Sequence, residues 1–156
     1  MGIRLKNIQK MKELSKLIEI AVKDGVGKDT MRQVAEASAE MIRNRTRRGK
    51  GVKKSKGSEI DLAKKKNGKK STLTDTGQML DSLVGRSAGE SEAVVTILDK
   101  RKKGSNIEIS GFHQFGTSNM PARPFLNLSK TEAEKAAKLL EKIMGEKVNR
   151  KLIKFK

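Results

Sequence analysis

The chain has 156 residues, a formal net charge of +18, 35% hydrophobic content, only four phenylalanines as aromatics, and no cysteine. That length allows one domain with a modest aliphatic core, and the missing cysteine excludes disulfides, thiolate metal sites and cysteine nucleophiles together. No apolar run nears the roughly 18 residues of a membrane span, and MGIRLKNIQKMKEL lacks the uninterrupted apolar stretch of a signal peptide.

The charge is unevenly placed. Residues 43–70 carry thirteen basic and two acidic groups, and residues 146–156 carry five and one. The remainder is almost neutral. The expectation is a near-neutral domain over residues 1–145, with a basic insertion at 43–70, followed by a basic tail at 146–156.

From Leu5 to Lys23, apolar residues at Leu5, Ile8, Met11, Leu14, Leu17, Ile18 and Ala21 repeat at helical spacing, and Asp24-Gly25 ends the pattern. A second helix is expected from about Asp29-Thr30, with Met31, Val34, Ala35, Ser38, Met41 and Ile42 on one face. Residues 43–70 then read as a long mobile loop, glycines among lysines, with too little apolar area to offset its ordering entropy. Its cations Arg47, Arg48, Lys50, Lys53, Lys54, Lys56, Lys64, Lys65, Lys66, Lys69 and Lys70 are candidates for polyanion contact.

Asp75 or Thr76 is expected to cap a short helix from Gly77 to Leu83, with Leu80 and Leu83 facing inward. Gly85 to Ser91 reads as a turn-rich connection. AVVTIL at 93–98 reads as a buried strand, and NIEIS at 106–110 alternates like its hairpin partner. The intervening tip adds Arg101, Lys102 and Lys103 to the candidate polyanion contacts.

Residues 111–128, GFHQFGTSNMPARPFLNL, hold three of the four phenylalanines, both prolines and the only histidine. Gly116 suits a sharp turn, and Pro121 and Pro124 stiffen the segment around Arg123. The expected result is a stiff, extended loop closed by an aromatic plug, Phe125-Leu126. Ser129 and Glu132 form a capping box for a last helix, which Gly145 can end. The fold class expected is therefore α+β: a small antiparallel sheet with a hairpin, packed by N- and C-terminal helices.

Catalytic chemistry finds no support. One histidine excludes a two-histidine metal site, and no nucleophile elbow or phosphate-cradling GxxxxGK[ST] spacing occurs. His113 beside Phe112 reads as structural. The expectation is a non-enzyme without metal or cofactor. Base-specific nucleic-acid reading also lacks its signals, because the basic stretches contain no interleaved aromatics apart from Phe155.

Three segments in order carry a resemblance: LTDTGQMLDSL at 73–83, FHQFGT at 112–117 and MPARPFL at 120–126. The chain resembles the tailed-phage virion morphogenesis proteins, also called tail completion or head–tail joining proteins. That resemblance covers about residues 73–145. It implies a ring, often six-fold, at the neck or tail end of the virion, built in the host cytoplasm and in contact with neighbouring connector and tail proteins. It makes Thr74, Asp75 and Gly77 a cap and turn, Gly116, Pro121 and Pro124 the shapers of the loop, and Phe115, Phe125 and Leu126 the plug that seats the loop in the core. Arg123 becomes either a clamp inside the fold or a contact across a subunit boundary. Basic loops facing the ring's lumen would touch packaged DNA without sequence preference. Two other classes stay open: a basic nucleic-acid-binding accessory protein and a regulatory interaction module with an acidic partner.

Overall fold

A computed structural model of the chain describes residues 15–16, 19–20, 23, 27–53, 57–63, 68–69, 72–73, 77–99 and 105–153. Most of the first apolar stripe, Leu5 to Lys23, lies outside the described residues. Ser15, Lys16, Glu19, Ile20 and Lys23 are described, and they are helical.

Helix α1 (Lys28–Arg47) buries Met31, Val34, Ala35, Ser38, Ala39 and Ile42, the stripe expected from 3.6-residue spacing. The stripe continues one turn further than its apolar residues do, because Arg45 and Thr46 are also buried. Strands β1 (Lys50–Val52) and β2 (Glu59–Asp61) form an antiparallel hairpin in which Gly51 faces Ile60. Residues 43–70 are thus not one mobile loop in their described part. Val52 and Leu62 are buried, and Leu62 joins the core, so this lysine-rich stretch has two apolar anchors. Residues 54–56, 64–67 and 70 lie outside the described set.

A four-residue helix, α2 (Gln78–Asp81), leads into β3 (Leu83–Ser87), which pairs antiparallel with β4 (Ala93–Ile97). Leu80 and Leu83 are buried as expected, although Leu83 opens a strand instead of closing a helix. The partner of β4 is therefore the segment before it. Residues 106–110 are the start of helix α3 (Asn106–Phe115), not a strand. Ser105 caps that helix by accepting from the Glu108 N–H. Asn106 is held by Asp99 and by the Leu98 carbonyl. In the helix Ile109 packs on the core while Ile107 is exposed. Two isoleucines two residues apart fit a strand but do not demand one.

Helix α4 (Lys130–Ile153) completes the α+β fold, which among the residues described from Lys28 onward has four helices and two two-stranded antiparallel sheets. Its start is the expected capping box: Glu132 N donates to Ser129 Oγ, and Ser129 N donates to Glu132 Oε2. Gly145 does not end it. A glycine inside a helix costs about 1 kcal/mol, and the flanking KLLEKIM and EKVNRKLI are good helix formers.

The core lies where α1, β3–β4, α2 and the 125–128 segment meet. Ile42, Leu62, Leu73, Met79, Leu80, Leu83 and Phe125 are buried together, flanked by Val95, Ile97, Ile109, Leu126 and Leu128. Gly85 brings β3 so close to α1 that an added Cβ would lie 2.0 Å from the Glu36 amide nitrogen. No described helix is long and apolar enough to cross a membrane.

Candidate assembly interface

Helix α3 and the PARPFL segment form one continuous unit. The helix ends at Gly116, whose φ of 79° and ψ of 178° suit a residue without a side chain. A Cβ there would also lie 2.8 Å from the Ala122 nitrogen. The chain then turns through Thr117–Met120, closed by Thr117 N to Met120 O at 2.9 Å, and runs back along the helix. Arg123 N donates to His113 O at 2.6 Å. The Gln114 carboxamide oxygen accepts from both Phe125 N and Leu126 N, at 3.0 and 3.2 Å. Pro124 has no N–H to give, and Gln114 satisfies the two amides that follow it.

The opposite side of the segment meets β1. Val52 N donates to Pro124 O at 2.9 Å, and Asn127 Nδ2 donates to Val52 O at 3.0 Å. Gly51 allows this approach, since its Cβ would lie 2.2 Å from Pro124 O. Arg123 is buried and its Nε donates to Ala63 O at 2.9 Å, which places it inside the fold. Phe125 is fully buried, a burial worth about 2–3 kcal/mol.

Arg45 ties three elements together. One guanidinium nitrogen donates to the Glu132 carboxylate, and the other donates to Phe125 O and, at 2.8 Å, to Asn127 O. Both side chains of the ion pair are buried. Burial pulls the Arg45 pKa down, and the Glu132 charge opposes that by favouring the cation. The same Glu132 oxygen receives the Ser129 amide, so the cap of α4 and the end of α1 share one acceptor.

His113 lies beside this joint. Burial lowers its pKa, and the positive charge of Arg123 lowers it further. The fold therefore favours neutral His113, while the unfolded chain binds a proton near pH 6.5. Stability is fully present above the unfolded pKa and falls as pH drops from there toward the folded value. Urea midpoints measured between about pH 7.5 and 5.5 should decline for the wild type. The decline should be absent in His113→Gln, because the chain has no other histidine. Parallel pH profiles for the two proteins would remove His113 as the source.

The expected core plug Phe115 is instead a correction. It is 81% exposed, and Ile107 and Phe112 on the same helix are 55% and 50% exposed. Neighbouring helix positions point about 100° apart, and it is Gln114 that faces the PARPFL backbone. So α3 presents two of the four phenylalanines to solvent. Leu126 packs on the core and Pro121 is exposed at the turn. Gly77 precedes α2 with a φ of 71°. Thr74 and Asp75 lie outside the described residues.

The candidate polyanion contacts are only partly brought together. Arg47 pairs with Asp81 at 3.1 Å and Lys50 with Asp61 at 2.9 Å, both at the surface. Arg48 and Lys53 are exposed at the end of α1 and the end of β1, and Lys69 is exposed further on. Lys54, Lys56, Lys64, Lys65, Lys66, Lys70, Arg101, Lys102 and Lys103 lie outside the described residues. Among the described residues, no group of three or more His, Asp or Glu side chains could hold a metal ion. No protein-family model, curated protein or solved structure matches the chain.

Proposed function

We propose that this chain is a structural subunit of a tailed-phage particle, one copy in a ring at the neck or tail end that completes the tail and joins it to the DNA-filled head. The order of the 73–83, 112–117 and 120–126 segments supports the reading. The observation that carries it is the division of labour within them. Gln114, Arg123 and Phe125 fix a rigid joint to β1 and α1, while Ile107, Phe112 and Phe115 on α3 face outward. Large apolar side chains on a chain this charged are a surface for a partner, and a rigid joint holds that surface in one orientation. The ring is expected to be hexameric, and Arg48 and Lys53, exposed beside the β1–β2 hairpin, would meet packaged DNA through phosphate alone.

Deleting the reading frame from its genome and imaging the particles by negative-stain electron microscopy tests the proposal. Filled heads and finished tails lying unattached, or tails of abnormal length, are expected. Normal infectious particles would sink it. The thirteen basic residues of 43–70 favour a second reading, a nucleic-acid-binding accessory protein. That reading predicts tight duplex binding by the isolated chain that weakens steeply with salt.

A further inference from the structure

Among the described residues, the β3–β4 sheet has an edge with no strand beside it. Leu98 N donates to Ser82 O at 2.9 Å and Ala88 N donates to Glu92 O at 3.0 Å. With the register Val84↔Thr96 and Arg86↔Val94, these are the pairs that exchange both backbone hydrogen bonds. The alternate residues therefore aim their N–H and C=O groups away from the partner strand. On β3 one of these outward groups, Leu83 O, accepts from Arg43 at 2.6 Å. On β4 they belong to Ala93, Val95 and Ile97, and none finds a partner among the described residues. Natural sheet edges are usually blunted by lysine, proline or a bulge. Strand β4 reads AVVTI and has no charged residue or proline. A two-stranded sheet is also below the three strands usually needed for independent stability.

We propose that the β4 edge pairs with β4 of a second copy of this chain, antiparallel about a two-fold axis through Val95, to give a continuous four-stranded sheet. In that register Val95 meets its own copy, and Ala93 meets Ile97 in both directions. All three are hydrogen-bonded pairs made from the outward groups. Val95 and Ile97 pack against the core from one face of the sheet, so the two copies' apolar faces become contiguous across the axis.

Charge selects this occupant. The strand is preceded by Glu90-Ser91-Glu92 and followed, after Asp99, by four successive basic residues at 100–103. In antiparallel self-pairing the acidic start of one strand runs toward the end from which, in sequence, the other copy's net-positive stretch 99–103 continues. A parallel pairing would set like charges together. The contact is isologous and closes with two copies, so it does not rest on the proposed ring.

The test uses the purified full chain. Light scattering behind size exclusion should give twice the 17.2 kDa chain mass, and Ala93→Pro should give the single-chain mass. Ala93 is exposed and is the first strand residue, and its N–H points outward, so proline there removes no β3–β4 hydrogen bond. Far-UV circular dichroism should be unchanged in that variant. A second measurement stands if the variant misfolds. The chain lacks cysteine, so a spin label on Thr96→Cys reports one site, and dipolar spectroscopy should find a single short distance between copies. A wild type that stays monomeric at every concentration overturns the proposal. So does a dimer or larger assembly that Ala93→Pro leaves intact, or one whose Thr96 labels are far apart, as a head-to-tail ring would place them.

Discussion

A Gly85→Ala variant is expected to lose more than about 4 kcal/mol of stability, which is most of the 5–15 kcal/mol typical of a domain. The added Cβ would lie 2.0 Å from the Glu36 nitrogen, 2.1 Å from the Ala35 carbonyl carbon and 2.4 Å from the Ala35 oxygen. All three atoms are backbone within α1, so no rotamer change relieves the contact. The helix would have to retreat by more than 1 Å, roughly the shortfall from ordinary van der Waals contact. That retreat would separate Ala35, Ala39 and Ile42 from β3 and open voids in the core. Urea denaturation followed by circular dichroism measures the loss. Gly89→Ala is the control: it lies in the same hairpin, and nothing would come within 4 Å of its Cβ. It should change stability by no more than about 0.5 kcal/mol. Equal behaviour of the two variants would show that the close approach of β3 and α1 does not govern this packing.

An Arg45→Met variant is expected to cost about 3–5 kcal/mol, the usual penalty for leaving one member of a buried ion pair alone. Methionine keeps much of the volume, so the loss is electrostatic. Glu132 would remain buried with its capping bond but without its counter-charge, and Phe125 O and Asn127 O would lose their donor. Glu132→Gln in the Arg45→Met background removes the uncompensated charge while keeping an oxygen to accept from Ser129 N. The double variant should therefore be more stable than the sum of the two single losses, by at least about 1 kcal/mol. It should not recover fully, since the two carbonyls still lack a donor. Strictly additive losses would mean that Arg45 acts through packing and not through Glu132.

Much of the fold was legible where one physical rule acts alone. The α1 stripe follows from periodicity, the Ser129–Glu132 box from spacing, and the burial of Phe125 from its place after two prolines. The reading failed where tertiary partners decide. NIEIS alternates over five residues, yet β4 already has β3 as its neighbour, and Ser105 caps the segment as the start of a helix. The lysine-rich 43–70 stretch looked mobile by composition. Val52 and Leu62 are too few to order the stretch by themselves, and the Pro124 and Asn127 groups that hold Val52 lie more than seventy residues away. Arg45 was hidden among Arg43, Arg47 and Arg48. Its signal was available: residues 31, 35, 38, 42 and 45 continue one helical face, so the arginine on that face is the one that enters the core. Gln114 had no such signal, because a glutamine at the end of a helix is ordinarily solvated.

The partners of Arg45 bear on how the chain is made. Arg45 and Glu132 are 87 residues apart in sequence, and chains are synthesised from the N-terminus at roughly 5–20 residues per second. The end of α1 therefore emerges several seconds before the carboxylate and the two carbonyls that receive its guanidinium. Until then Arg45 must stay in water, and α1 cannot close over the 125–128 segment. Helix α1, the β1–β2 and β3–β4 hairpins and the packing of β3 on α1 need nothing beyond residue 97 and can form in that interval. The joint around Arg45 therefore closes only after Glu132 has been made.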